Sequence, residues 1–279
     1  MPAQLASWLH GSSLQRVADD GFAEELGDGR GITFGRAGFT TGTGDGLVVV
    51  QRYADLKPEN NTLAEYLPAL RHIVRQLRAL EASSSHDFNG TIDDLEGLDG
   101  FAEAVRELGG DPEFQAVQDM TLQALYFQPS QRAARALGLK YALSKAQLYD
   151  AWVQHGAADA EGSHRKFRKA ANGIVAWVNE ELGGTPLTGV NETLWLETYL
   201  ARRKWVLDNA DETWQDSTPR VDLYRWLLEL KARGLDKPIR LSWAKCQLTE
   251  GVHHRGPCTN QTSAAYAVGG VDYGDFYIP

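Results

Sequence analysis

GDGRGITFGRAGFTTGTGDG, residues 27–46, is the stretch on which the reading of this chain turns. Eight glycines stand in it, at positions 27, 29, 31, 35, 38, 42, 44 and 46, with Ile32, Phe34, Phe39 and several threonines between them. Glycine loses more backbone freedom on folding than any other residue, so this density argues against a helix. Aromatic and β-branched residues set between glycines predict short twisted strands and tight turns instead. An irregular segment of this kind is where a site is expected.

Outward from it the pattern changes. Apolar residues recur at helical spacing over Leu63 to Leu80, Phe101 to Leu108, Phe114 to Phe127, Gln131 to His155, Arg165 to Leu182, Glu192 to Asn209 and Val221 to Arg233. Gly109-Gly110-Asp111-Pro112, Gln128-Pro129-Ser130 and Gly183-Gly184-Thr185-Pro186 punctuate these runs as turn and capping signals do. The chain therefore reads as mainly α with a small glycine-rich β region. Its 279 residues, 43% of them hydrophobic, suffice for one large domain or one of two lobes. Trp195, Trp205, Trp214 and Trp226 are spaced like core or cleft-lining residues, with core the expectation for most. His164 to Lys169 is a basic run that reads as a solvated face.

A formal net charge of −9 argues against a nucleic-acid partner, since neutralising phosphates takes a surplus of lysine and arginine. A cationic or neutral small molecule suits that balance better. No apolar run approaches the length of a membrane span, and Met1 to Leu14 lacks the basic, apolar and small-residue zones of a secretory leader. The expected location is cytoplasmic, or outside the cell if a leader has been removed.

The order Gly27-Asp28-Gly29-Arg30-Gly31-Ile32-Thr33, then Gly38-Phe39-Thr40-Thr41-Gly42-Thr43-Gly44-Asp45, resembles the family-46 chitosanases. Further similarities are Leu47 to Tyr53, Leu63 to Leu70, Phe114 to Gln118, Tyr126-Phe127, Tyr149-Asp150-Ala151 with His155-Gly156, Arg203-Lys204, Arg220-Val221-Asp222 and the terminal Tyr273 to Tyr277. The resemblance spans nearly the whole chain and implies a lysozyme-like, bilobal, mainly α fold with the glycine-rich β region beside its cleft.

The resemblance also implies roles. Asp28 would be the general base that activates water in an inverting hydrolysis, Arg30 its counter-ion, and Thr33 the residue that orients the water. A carboxylate in a glycine-rich turn is expected to be within reach of substrate. Asp45 would bind the amino group of a glucosamine unit, and a turn role is an equal alternative. Asp150, Arg203 and Arg220 would form a buried ion network tying the lobes together. No cofactor or metal is implied.

In two places the pattern breaks. The family carries its acid, a glutamate, somewhat fewer than twenty residues before the aspartate; here an ungapped comparison puts His10 there, with Leu9, Gly11 and Ser12 as neighbours. His10 is either a helix-terminal residue or, with a pKa ordinarily about 6.5, an altered acid or the base of a different reaction. Glu24 and Glu25, the only glutamates before Asp28, read as a solvated helix face. Near the end, about 28 residues from Ala244 through Val271 are inserted where the family proceeds to its terminal motif. They carry Cys246, His253, His254 and Cys258, which could hold zinc, form a disulfide in an exported protein, or stay unliganded in a loop that reshapes the site. The leading expectation is a divergent enzyme with an altered active site that acts on a non-polymeric intracellular substrate, for example in a biosynthetic pathway, with a small molecule or an amino sugar as its partner. An endo-chitosanase and a non-catalytic amino-sugar-binding protein are the alternatives.

Overall fold

The computed structural model describes residues 20–83, 90–156, 170–210, 215, 217–237, 239–241, 266–268 and 276–278. Two compact units divide in the chain between Leu125 and Tyr126.

In the N-terminal unit, β1 (Ala23–Glu25), β2 (Ile32–Phe34) and β3 (Phe39–Thr40) form an antiparallel sheet in that order. Ala23 pairs with Phe34 and Phe34 with Phe39, while Glu24 pairs with Thr33 and Thr33 with Thr40. Strand alternation therefore sends Ala23, Phe34 and Phe39 into the core and puts Glu24, Thr33 and Thr40 on the other face. Glu24 and Glu25 thus belong to a strand, correcting the helical expectation. Three residues are too few to show a period, and β1 is defined by its ladder to β2.

Helices α1 (Asp45–Leu56), α2 (Leu67–Ala82), α3 (Phe101–Leu108) and α4 (Pro112–Leu122) enclose this core. The Phe101 ring meets Phe34 and Tyr66 edge-on at centroid distances of 5.2 and 5.3 Å, and Tyr53 meets Phe114 at 5.2 Å. Each such side chain, taken out of water, contributes about 1.5–3 kcal/mol. Asp111 starts α4: its Oδ1 accepts from the Glu113 and Phe114 amides, and Pro112 occupies the first turn where no N–H is needed. Its Oδ2 accepts from Tyr53 Oη at 3.0 Å and Lys57 Nζ at 2.6 Å, tying α4 to α1 and its end.

A π-helical turn at Gln123–Phe127 straddles the division in the chain, and the C-terminal unit continues with α5 (Gln128–Ala136), α6 (Ala142–His155), α7 (Ala171–Leu182), α8 (Glu192–Asp208) and α9 (Thr218–Glu229). The single run expected from Gln131 to His155 is two helices. Gly138, at a φ of 76°, turns the chain between them, and a Cβ there would lie 2.6 Å from the Leu187 amide nitrogen. Trp152, Trp195, Tyr199, Leu148, Ile174 and Val178 fill the core, with Trp195 stacked on Tyr199 at 5.2 Å. Trp226 is buried too, whereas Trp205 is 51% exposed, on the outward side of α8 beside Trp177. Trp214 and the basic run His164 to Lys169 lie outside the described residues.

Helix α6 is buried on nearly every side, so its polar residues have nowhere to go but inward. Ser144 and Gln147 are fully buried, and the Ser144 hydroxyl and both amide atoms of Gln147 have no hydrogen-bond partner among the described residues. The chain closes with β4 (Ile239–Leu241), β5 (Tyr266–Val268) and β6 (Phe276–Ile278) in the order β5-β4-β6. β6 runs antiparallel to β4, and β5, from the inserted stretch, runs parallel to it.

Candidate active site

Asp28 sits in the turn between β1 and β2. Arg30 donates to its Oδ2 from Nε at 2.9 Å and from Nη2 at 2.5 Å, and the Arg30 backbone N–H reaches Oδ1 at 3.2 Å. Charge-assisted bonds of this kind are among the stronger ones, and here all three come from a residue only two positions away. The Asp28 side chain is 3% exposed and that of Arg30 27%, so the guanidinium rather than the carboxylate faces water. The turn is less open than glycine content suggests, because its own arginine lies over the acid.

Thr33 occupies the middle of β2 and is buried, and its Oγ1 has no hydrogen-bond partner among the described residues. Buried hydroxyls are ordinarily paired, so this one is available to a water or ligand group. Asp45 opens α1; its Oδ1 accepts from the Thr40 amide and from Thr43 Oγ1, both at 2.9 Å. Those are the bonds of a turn-closing, helix-starting acid.

Sequence reasoning passed over the residues that hold this segment. Arg36, in the β2–β3 turn, grips the buried Asp20 through Nε at 2.5 Å and Nη2 at 2.8 Å, and Asp119 through Nη1 at 2.7 Å. Its hydrogen bond to Asp20 raises the Arg36 pKa further above the ordinary guanidinium value. Gln118 accepts from the Arg36 amide at 2.9 Å and donates to the Asp20 carbonyl at 3.0 Å. On the other side, Asp93 accepts from the Gly31 amide at 3.2 Å. The only sequence signal for these contacts is an acid or amide at positions with no periodic reason to be polar.

The structure also brings Asp150, Arg203 and Arg220 together, all within the C-terminal unit. Arg203 Nη2 donates to Asp150 Oδ2, and Arg220 Nη2 donates to Oδ1 at 2.7 Å. Arg203 also reaches Gln154 at 2.5 Å and donates from Nε to His155 Nε2 at 3.1 Å. The triad joins α6, α8 and α9 of one unit. Burial pushes the hydroxyls of Tyr199 and Tyr224 beside it up and keeps them neutral. His10, Cys246, His253, His254 and Cys258 lie outside the described residues. Among the described residues no helix is long and apolar enough to cross a membrane.

The sequence pattern of glycosyl hydrolase family 46 matches residues 4–239. This chain belongs to that family. A chitosanase of Bacillus subtilis (strain 168) is 37% identical over 227 residues, covering 79% of this chain and 74% of the relative. A mutant chitosanase from Bacillus subtilis MY002, complexed with 6 GlcN, superposes with a TM-score of 0.76 at 31% identity, covering 100% of this chain and 96% of that one. The family-46 chitosanase of Gynuella sunshinyii in complex with chitotetraose gives 0.73 at 35% identity, over 86% of this chain and 91% of that one. The family-46 fold is mainly α and lysozyme-like, as the resemblance implied.

Proposed function

We propose that this family-46 chain acts on amino-sugar substrates, with Asp28 as the base that activates water and with proton donation moved away from the family's glutamate. The observation that carries the reading is the Asp28–Arg30 arrangement in the glycine turn, next in sequence to a buried Thr33 hydroxyl without a partner. Of the two carboxylate oxygens, Oδ2 already takes two guanidinium donors, whereas Oδ1 takes one long amide bond. Oδ1 therefore has the capacity to accept a proton from water. The water oxygen would attack the anomeric carbon, the glycosidic C–O bond would break, and the leaving oxygen would need a proton from a second group. His10 stands where the resemblance expects the glutamate and is the donor we assign. An imidazolium can supply that proton near neutral pH, at the cost of activity as pH rises past its pKa. The carboxylate-rich composition suits a cationic amino sugar.

A second reading, an endo-chitosanase in the ordinary sense, is favoured by the chitosanases among the similar proteins. One experiment separates the two. Wild-type chain, Asp28→Asn and His10→Ala are incubated with polymeric chitosan, with short glucosamine oligomers and with monomeric amino sugars, and the products are separated by chromatography. Our reading expects Asp28-dependent turnover of short substrates that His10→Ala abolishes. Rapid cleavage of polymer that persists in His10→Ala would establish the second reading, and binding without turnover in any arm would defeat both.

A further inference from the structure

The position of Asp28 depends on Arg30, and the position of Arg30 depends on where the backbone on either side of it is fastened. The Arg30 carbonyl accepts from the Gly42 amide at 2.9 Å, and the Ile32 amide donates to Thr41 Oγ1 at 3.0 Å. Both partners come from the turn that follows β3. The amide between them, Gly31 N–H, donates instead to Asp93 Oδ1, 62 positions along the chain. One residue earlier, the Ile92 amide donates to the Gly42 carbonyl at 3.0 Å. Residues 92 and 93 thus hold both sides of the turn, one through Gly42 and one through Gly31. The approach is close enough that a Cβ on Gly42 would collide with the Ile92 carbonyl and lie 2.8 Å from the Arg30 carbonyl oxygen.

We propose that Asp93 is a positioning residue for Asp28: by accepting the Gly31 amide it fixes the peptide that follows Arg30, and so fixes the guanidinium that grips the base. Asp93 is exposed and, among the described residues, forms that hydrogen bond and no ion pair. Its task needs an acceptor oxygen at this spot and not a negative charge, so asparagine can do it and alanine cannot. A residue that met a cationic substrate directly would behave the other way, needing its charge.

The proposal rests on the amino-sugar reading for its kinetic arm only. Full-length wild-type, Asp93→Ala and Asp93→Asn are compared by steady-state kinetics on glucosamine oligomers and by hydrogen exchange over residues 27–34, with thermal melts to confirm folding. Expected for Asp93→Ala is a kcat lowered about 5- to 10-fold, the worth of one hydrogen bond, with KM little changed and faster exchange at Gly31. Asp93→Asn should restore both to within about twofold of wild type. Equal rises in KM for both variants with kcat kept would overturn the proposal in favour of direct substrate contact. Unchanged kcat and exchange in Asp93→Ala would overturn it outright. If the wild-type chain turns over none of these sugars, the functional reading fails, and the exchange arm alone still decides whether Asp93 holds the turn.

Discussion

Asp28 and Arg30 are two residues apart, whereas Asp150 meets Arg203 across 53 positions and Arg220 across 70. The first pair can form in any chain that makes the local turn, and its arginine is partly in water, so it contributes little to the stability of the fold. The second exists only once α6, α8 and α9 have assembled, and its aspartate and Arg203 are fully buried. Similar chemistry does different work in the two units: close in sequence it orders a local turn, and far apart in sequence it closes a core. Separation and burial, more than bond length, decide which.

The contrast can be broken most directly at Asp150. Asp150→Ala takes the countercharge from two buried guanidinium groups and is expected to cost about 3–5 kcal/mol, read as a lower denaturant midpoint at unchanged slope. A loss under about 1 kcal/mol would place the buried set on a par with a surface pair. Asp28→Asn should do the reverse, lowering turnover about 10²–10⁴-fold while stability stays within about 0.5 kcal/mol of wild type. Gln147→Leu sharpens the point about burial. It removes an amide that has no hydrogen-bond partner among the described residues and should raise stability by about 1–3 kcal/mol in the same denaturation assay. A decrease would mean that the amide is satisfied by solvent inside the core.

Asp111 gives the smallest effect and lies between the two extremes, part cap and part ion pair. Asp111→Ala should cost about 1 kcal/mol through the lost cap. The Lys57 ammonium, with help from the α4 amides and Tyr53, lowers the Asp111 carboxyl to about 2. A folded value below the unfolded one, about 3.9, means this stabilisation is complete above about pH 4 and is lost as pH falls toward 2. Acid titration of stability should therefore be flatter in that window for Asp111→Asn than for wild type.

How legible these regions were follows from the same separation. The Asp28 turn could be read because its glycines, its acid and its arginine are neighbours, and the helices could be read wherever one face is apolar and the other wet. The Gly109 to Pro112 punctuation marked the start of α4 because the capping aspartate and the first-turn proline are adjacent. Asp93 was not legible, since its partner is 62 positions away and loops have no period. Helix α6 concealed its join with α5 and its buried Ser144 and Gln147 for another reason: a helix covered on most sides has no amphipathic pattern to interrupt. The β1 strand was too short for alternation to register.

Strand β5 bears on any attempt to trim the molecule. The added segment returns to lay Tyr266–Val268 alongside β4, so its tail is part of the closing sheet. A shortened variant that splices out everything from Ala244 to Val271 would expose one flank of β4 to unwanted pairing with other chains. A variant in which the excision stops short of Tyr266 would keep β5 on that flank and report on the intervening residues alone.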